Sequence, residues 1–486
     1  MSEKNKSGVF KSFLDYFYGN FIVLLLGFIS TPLITRLMST DEYGRTAMFQ
    51  SVVSIIYICA ILGLDQGYIR YFYKDGVSRK KLFYQCLYPS LTLILCLSAV
   101  YFVFSNSFNY ILFERSSVDI TLLVVGYVIT SVFERFLFLN IRMDQRGKLY
   151  SNLNILSKVL YISFIVIFVM ILGDDFRVVL YALTLPLAIV TFGLMIRFII
   201  INRHERISVL KHDENGVRER ELLKYSVPFI PMLLMEWLLS SMDKWSIRFF
   251  NDFSETGVYS AAMQIMTIIL TVKITFVAFW APIAMEKYEN EPEEKCKEFF
   301  ADIFLKTQFL CMCLAFGLTI CRGIIVLLLG EKYRAAIRII PFLTLMPVLS
   351  ILFEMTGQGV KFVKKIKYFN YASFVAIICN LIGNAVLVPR YKGVGAAVAT
   401  GITYIVYFAI GTYFAKKCYP VDYKLRTFIL SMIIYIGYAG YATYTDNQVV
   451  SAIAGIILFI VHLLINYKTI GSLINMVKSM LKKENK

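Results

Sequence analysis

Four ionisable residues lie in or beside one strongly apolar stretch, "WLLSSMDKWSIRFF" (237–250). Asp243, Lys244 and Arg248 are inside it, and Glu236 stands directly before it. A charge at the centre of a membrane helix costs about 2.5 to 3.5 kcal/mol on insertion scales, so it is kept where it is paired or faces water. On a helix, Glu236 and Asp243 share one face, and Lys244 and Arg248 share the neighbouring face. This pattern predicts either a buried ion network or the lining of a wet passage.

Other apolar runs carry further charges at comparable depth. Because a lysine or arginine contact to phosphate is charge-assisted and about twice as strong as a neutral hydrogen bond, we interpret the cations as a cavity for an anionic group. The predicted substrate-binding residues are Arg36, Lys158, Lys244, Arg248, Lys273 and Lys306. The acids Glu134, Glu236 and Asp243 are candidates for ion coupling. No catalytic residue and no metal ligand is predicted.

Simpler explanations remain open for several of these residues. Arg36, Arg70, Arg248 and Arg322 lie near span ends, where long basic side chains could reach the headgroups. A structural ion pair, for instance between Glu236 and Lys273, is a second alternative. The amides of Asn380 and Asn384 could bond sugar hydroxyls or simply bond across helices.

The elements that position these residues are membrane-spanning helices. The 486-residue chain is 58% hydrophobic and 17% charged, with a mean hydropathy of +0.65, and soluble domains have about 25% charged residues. Apolar runs long enough to cross about 30 Å of hydrocarbon repeat along the chain. They predict an all-α integral membrane protein with about fourteen spans, at 14–37, 46–69, 84–105, 118–141, 150–172, 178–201, 225–249, 257–284, 300–329, 335–360, 368–388, 393–415, 427–444 and 448–467.

The net charge of +17 is best explained by membrane topology. If the N-terminus is cytoplasmic, most of the 50 Lys and Arg residues fall in inner segments and tails, as the positive-inside rule requires. We therefore predict a multi-pass membrane protein with both termini cytoplasmic. Membrane lipids are expected partners and nucleic acid is not.

The chain is predicted to contain two lobes of six spans. The hydrophilic segment 202–224 separates residues 1–201 from residues 225–415, and residues 416–486 add two spans and a basic tail. "ITRLMSTDEYG" ends the first span and "IRFFNDFSETG" ends the seventh, an internal echo in corresponding positions. Two related halves in a membrane are typical of a transporter. The nine scattered cysteines and three histidines form no disulfide or metal pattern, and His462 is expected to pack.

Several stretches, in order and spacing, resemble a known family. They are "GFISTPLITRLMSTDEYG" (27–44), "LGLDQGYIRYF" (62–72), "YSVPFIPMLLMEWLLSSMDKWSIRFF" (225–250), "TGVYSAAMQI" (256–265), "LGEKYRAAIRIIPFLTL" (329–345) and "VLVPRYKGVGAAVATGITYIV" (386–406). Together they are similar to the Wzx-type polysaccharide flippases of the multidrug/oligosaccharidyl-lipid/polysaccharide superfamily. The resemblance covers nearly the whole chain.

The resemblance implies two pseudo-symmetric six-helix lobes arranged as a V, with two additional C-terminal helices. It also implies a location in the bacterial cytoplasmic (inner) membrane and a substrate, an undecaprenyl-pyrophosphate-linked oligosaccharide repeat unit, which is moved from the cytoplasmic to the periplasmic leaflet by alternating access. Matched to the family, Arg36 closes span 1, Asp65 and Arg70 lie near the end of span 2, and Asp243 and Lys244 replace an Asp-Arg pair. Lysine at 244 is a departure, because it lacks the bidentate fork of arginine.

The expected process is O-antigen, lipopolysaccharide or other polysaccharide biosynthesis, with a polymerase and chain-length machinery as further partners. No cofactor is expected, since no covalent change is needed and the chain has no "GxxxxGK[ST]" motif. A drug or cation antiporter of the same superfamily is the alternative, although such a cavity would be acidic or aromatic. A membrane-embedded polymerase or glycosyltransferase is disfavoured, since the spans leave no large outer loop.

Overall fold

The protein is helical throughout the part of the chain that its computed structural model describes, which is residues 3–74, 77–201 and 217–484. By contact it divides into two compact units, Met1–Ser241 and Met242–Lys486. Most of the segment predicted to link two lobes, 202–224, falls on 202–216 and lies outside the described residues. The division into six-span lobes therefore stays a prediction.

The described residues of the first unit form ten helices, the tenth of which continues into the second unit. They are α1 Glu3–Leu37, α2 Thr40–Ile61, α3 Leu64–Tyr71, α4 Arg79–Val103, α5 Ser105–Phe113, α6 Val118–Met143, α7 Gly147–Leu172, α8 Arg177–Ile201, α9 Glu219–Ser226 and α10 Phe229–Phe250.

The second unit contains the remaining helices. They are α11 Phe253–Asn290, α12 Glu293–Ile320, α13 Arg322–Leu328, a 3-10 helix Glu331–Arg338, α14 Ile340–Leu343, α15 Leu345–Thr356, α16 Gln358–Phe362, α17 Lys367–Cys418, α18 Arg426–Tyr444, α19 Gln448–Ile465 and α20 Tyr467–Glu484.

The predicted fold class is confirmed. Eleven helices within the described residues are long and apolar enough to cross a membrane, or up to twelve if the bent pair Glu331–Arg338 and Ile340–Thr356 is one span. Each of the fourteen predicted spans falls on helical segments of the structure. Helix α17 covers both 368–388 and 393–415, and α11 covers 257–284. Span 2 divides at Leu62 and Gly63, where two consecutive residues with positive φ separate α2 from α3.

Helix α17 is a hairpin of two arms. Its backbone leaves the helical conformation at Lys392, with φ 51° and ψ −132°. The arms then run back along each other, so that the Tyr368 ring stacks on Phe414 with centroids 4.7 Å apart. Close to the turn, a Cβ added at Gly383 would lie only 2.9 Å from the Cβ of Ala399. Small residues allow this close approach of two membrane helices.

Packing within each unit follows the same principle of small residues against large ones. In the first unit α1 packs along α7, where a Cβ at Gly19 would lie 2.3 Å from the Ser151 side chain. In the second unit α15 packs against α17, where a Cβ at Gly411 would lie 2.2 Å from the Phe353 ring. An aromatic-rich core that includes Trp280 fills the space between α11, α12, α15 and α18. These cores give the polar side chains fixed positions.

Candidate functional site

Asp243 is the most enclosed acidic group among the predicted site residues. Its side chain is 0% exposed. One carboxylate oxygen accepts from Nδ2 of Asn384 at 2.8 Å and from Nδ2 of Asn380 at 3.1 Å. The other accepts from the hydroxyl of Thr400 at 2.5 Å and from the hydroxyl of Tyr259. All four donors are neutral, so the carboxylate is hydrogen-bonded without a paired cation in this cluster.

The hairpin α17 makes this cluster possible. Asn380 and Asn384 are one turn apart on its first arm, and Thr400 is on its second arm, so that the turn brings all three to one point. Tyr259 comes from the first turns of α11. Among the described residues, Oδ1 of Asn384 is buried and has no hydrogen-bond donor. The cluster therefore holds an excess of oxygen atoms around a buried negative charge.

A second cluster in the same unit carries excess positive charge. Nζ of Lys273, near the middle of the 38-residue helix α11, lies 3.2 Å from one oxygen of Glu354. Nζ of Lys361 donates to the other oxygen at 3.1 Å. The three side chains remain 27%, 20% and 37% exposed, respectively. Two ammonium groups thus share one carboxylate. The partner of Lys273 is Glu354 and not Glu236, which the sequence analysis offered as an alternative.

Lys158 has a different environment in the first unit. It is half-buried on α7, and its Nζ lies 4.5 Å from the centroid of the Tyr161 ring. A lysine above an aromatic face gains a cation–π contact of about 0.5 to 2 kcal/mol. It has no ion-pair partner among the described residues. Asn154, one turn earlier, donates to the carbonyl of Tyr150 at 2.9 Å.

The family-matched Asp65 is part of an ion pair. Its carboxylate accepts from a guanidinium nitrogen of Arg135 at 2.5 Å and from the side chain of Gln66 at 3.1 Å. Asp65 is 5% exposed, which places this pair inside the first unit. Arg70 is exposed on α3 and Glu134 is half-buried on α6. The structure does not bring Arg70 to Asp65 in an ion pair.

The other predicted residues are not gathered at one point. Arg36 and Glu236 are exposed, and Lys244 is half-buried. Arg248 lies over the Phe253 ring at 4.1 Å. Lys306 pairs with Asp302 at 2.5 Å, one helical turn away. An i, i+4 pair of this kind satisfies the lysine locally.

The headgroup interpretation of Arg322 is wrong. Arg322 is 2% exposed and donates to the carbonyl of Ala442, to Ser451 at 3.0 Å and to Gln448 at 3.3 Å. It therefore joins α13 to α18 and α19. His462 packs as expected, stacked on Phe309 and hydrogen-bonded to Ser431 at 2.9 Å.

Three participating residues escaped the sequence analysis. Tyr259 and Thr400 complete the Asp243 cluster, and Lys361 completes the Lys273 cluster. Tyr259 is one of 32 tyrosines, and Thr400 sits in a run of small residues, so neither type was unusual. The spacing of Asn380 and Asn384 was the available signal, because two amides on one helical face in an apolar span indicate a shared partner.

Comparison with known proteins places this arrangement in a family. The family model described as "Polysaccharide biosynthesis protein" matches residues 9–286, which is more than half of the chain. The chain belongs to this family. A relative, the probable low-salt glycan biosynthesis flippase Agl15 of Haloferax volcanii, is 18% identical over 416 residues and is covered to 85%, as is this chain.

Solved structures show the same fold. The lipid II flippase MurJ, in an inward closed conformation, aligns with a TM-score of 0.68 at 15% identity, covering 94% of this chain and 99% of that chain. An inward-facing multidrug resistance MATE family transporter of the MOP superfamily aligns with a TM-score of 0.56 at 16% identity, covering 81% and 93%. The chain therefore shares the fold of these two membrane proteins.

Proposed function

We propose that the protein is a flippase for undecaprenyl-pyrophosphate-linked oligosaccharide repeat units. It moves them from the cytoplasmic to the periplasmic leaflet of the bacterial inner membrane by alternating access, with both of its own termini in the cytoplasm. The observation that carries the proposal is the partly exposed cluster of Lys273, Glu354 and Lys361 in a polysaccharide biosynthesis protein, with Lys273 inside the predicted span 257–284. The chain acts without catalysis, since transport changes no covalent bond.

The Lys273 cluster suits a pyrophosphate because its charges are not balanced. Two ammonium groups face one carboxylate, so one positive charge remains for an arriving anion. A phosphate oxygen then competes with Glu354 for both lysines, in contacts that are charge-assisted. When the anion leaves, Glu354 re-forms its pairs and keeps the cations from being stranded. Binding can thus be firm and still reversible.

Lys158 is proposed as a further substrate-binding cation, within the first unit. Its Nζ lies over the Tyr161 ring and has no ion-pair partner among the described residues, so no carboxylate has to be displaced. The other proposed substrate contacts are Arg36, Lys244, Arg248 and Lys306. Two of them already have a partner, since Lys306 is paired with Asp302 and Arg248 lies on the Phe253 ring.

Asp243 is proposed to couple transport to an ion. Its buried carboxylate is bonded only by neutral donors in the cluster, and a buried charge without a paired cation favours the arrival of a cation or a proton. Because the hairpin α17 supplies three of the four donors, a change at Asp243 would be felt by both arms. Glu134 and Glu236 keep the same proposed role. O-antigen or lipopolysaccharide synthesis, with a polymerase and chain-length machinery as partners, is the proposed setting.

The test is a flipping assay in vesicles. Purified protein is reconstituted with a labelled undecaprenyl-pyrophosphate oligosaccharide, and the fraction of headgroups protected from an added glycosidase is followed with time. Lys273→Ala and Lys158→Ala are expected to slow flipping at least tenfold, because each removes a phosphate contact. Lys287→Ala is the matched control, since Lys287 lies on the same helix and pairs with Glu291 at 2.7 Å outside both clusters.

Two results would refute the proposal. Wild-type rates for both Lys273→Ala and Lys158→Ala, at equal amounts of reconstituted protein, would exclude the cationic passage. Complete lack of flipping by the wild-type chain, together with export of cationic drugs from cells, would reassign it to the drug transporters of the superfamily.

A further inference from the structure

A cavity of about 350 Å³ lies within the first unit, apart from every residue discussed above. Four helices surround it: the start of α4, the end of α6, the start of α7 and the end of α8. Under the predicted topology these four ends are at the cytoplasmic surface. The lining residues are Ser78, Arg79, Lys80, Leu137, Asn140, Ile141, Asp144, Arg146, Leu149, Leu194, Arg197 and Phe198.

The polar side of the cavity is strongly basic. Four of the lining side chains are cationic and one, Asp144, is acidic. Asp144 is already used by Arg79, with a nitrogen to oxygen distance of 3.4 Å. Arg146 and Arg197 have no ion-pair partner among the described residues. Residues at the N-terminal ends of α4 and α7 also line the cavity, and a helix N-terminus favours an anion.

The rest of the lining is mainly apolar. Leu137, Ile141 and Leu194 are 4%, 8% and 6% exposed, and together with Leu149 and Phe198 they are called the apolar floor here. The floor is held in place because the Phe198 ring stacks on Phe83 with centroids 4.4 Å apart. A cation-rimmed cavity with a rigid apolar floor fits a molecule that is anionic at one end and hydrocarbon at the other.

We propose that this cavity binds an anionic phospholipid of the inner leaflet, with its phosphodiester between Arg146 and Arg197 and the first part of an acyl chain on the apolar floor. Basic pockets between membrane helices on the cytoplasmic side recognise anionic headgroups in this way. Arginine suits the task because its planar fork binds phosphate oxygens in pairs.

The size of the cavity favours a resident phospholipid over the transported substrate. Small-molecule sites span about 300 to 1,000 Å³, and this one is near the lower limit. It holds a phosphodiester with its glycerol, whereas a pyrophosphate that carries several sugars needs far more room. The inference does not depend on which substrate is moved, so it stands or falls independently of the flippase assay.

A lipid in this position has a structural consequence. The lining residues come from four helices whose ends meet at the cavity, so one bound headgroup links α4, α6, α7 and α8. A ligand that binds the folded state and not the unfolded state raises the unfolding temperature in proportion to the logarithm of its concentration. Anionic lipid is therefore expected to stabilise the first unit.

The experiment uses the full-length protein, stripped of lipid in a zwitterionic detergent. Phosphatidylglycerol or phosphatidylcholine is titrated in, and native mass spectrometry measures the dissociation constant while the thermal unfolding midpoint is recorded. Phosphatidylglycerol is expected to bind at least tenfold more tightly and to raise the midpoint. Arg146→Gln and Arg197→Gln are each expected to weaken it about fivefold, from about 1 kcal/mol per basic residue.

Two variants make the test specific. Lys148→Gln removes an exposed cation that neighbours Arg146 in the chain but does not line the cavity, and it should change the affinity less than twofold. Arg197→Lys keeps the charge without the fork and should bind phosphatidylglycerol more tightly than Arg197→Gln does, so it separates lost charge from lost folding. Equal binding of both lipids, or unchanged binding in both Gln variants, overturns the proposal.

The source of the phosphate is tested in two further arms. Undecaprenyl pyrophosphate that binds more tightly than phosphatidylglycerol, and loses its binding in the same Gln variants, would make this a substrate site and overturn the proposal. Inorganic phosphate that displaces phosphatidylglycerol at equal concentration would show that the apolar floor contributes nothing, and this too would overturn it.

Discussion

Asp243 shows how a membrane protein can bury a carboxylate without an oppositely charged partner in the same cluster. Two amides and two hydroxyls satisfy both carboxylate oxygens, and the side chain is fully buried. The amides can only donate in this geometry, but hydroxyl groups can reverse and accept. The carboxylate oxygen that faces the two hydroxyls can therefore be replaced by a donor, whereas the oxygen that faces the two amides must stay an acceptor.

This difference predicts the behaviour of Asp243→Asn. The new NH₂ group can face Tyr259 and Thr400, whose hydroxyls then accept, so the loss of folding stability should be only about 1 kcal/mol. The negative charge is lost, however, and flipping should fall at least tenfold. The vesicle assay and the thermal unfolding midpoint measure the two effects separately.

A control variant distinguishes loss of the Asp243 charge from loss of any carboxylate. Asp446→Asn removes an exposed carboxylate that pairs with Arg338 outside the cluster, and it should leave flipping unchanged. If Asp243→Asn flips substrate at the wild-type rate, the coupling role proposed for this charge is wrong.

At the scale of elements, the turn of the α17 hairpin depends on Gly395. A Cβ added there would lie 2.4 Å from the carbonyl oxygen of Leu387 and 2.6 Å from its carbon, both backbone atoms of the facing arm. Neither can move without opening the hairpin. Forcing extra atoms into a packed site costs typically about 1 to 3 kcal/mol.

We therefore expect Gly395→Ala to lower the thermal unfolding midpoint clearly. Gly437→Ala is the matched comparison, since Gly437 lies inside α18 with open space around its Cα, and alanine favours helix by about 1 kcal/mol. The second substitution should be neutral or stabilising. Similar midpoints for the two variants would contradict the close approach of the two arms.

Elements were the most predictable part of the structure. Hydropathy located every span, because about 20 apolar residues must form a helix in lipid, where unpaired backbone groups are too costly. It missed the breaks at Leu62 and Gly63 and the short helices around α14, since these arise from local backbone angles and packing. The turn of α17 at Lys392, in contrast, falls between the predicted spans 368–388 and 393–415.

Pairing between side chains was much less predictable. Their depth in predicted spans singled out Asp243 and Lys273, but it did not indicate their partners. Asn380 lies 137 residues after Asp243, and Glu354 lies 81 residues after Lys273. No periodicity within one helix reports which neighbour it will face. Arg322 shows the limit clearly, because a position near a span end indicated the headgroups and the three acceptors on α18 and α19 decided otherwise.

At the scale of the whole molecule, the distribution of basic residues predicts the orientation. In a chain without its nine native cysteines, Ser116→Cys between spans 3 and 4 should face the outside, and Asn290→Cys between spans 8 and 9 should face the cytoplasm. Both residues are exposed. A membrane-impermeant maleimide should label the first in intact cells and the second only after permeabilisation. The reverse labelling would invert the topology and place the lipid cavity in the outer leaflet.

The hairpin α17 also has a consequence for how the chain is made. Asp243 is synthesised 137 residues before Asn380. At about 5 to 20 residues per second, roughly 7 to 27 s pass between the synthesis of Asp243 and that of its first amide partner. During that interval α10 carries an unsatisfied acid that lipid disfavours. Because the two arms of α17 are joined by a tight turn, they deliver the amides and Thr400 together. Biogenesis should thus depend on an insertase or chaperone that shelters the half-made second unit until this hairpin emerges.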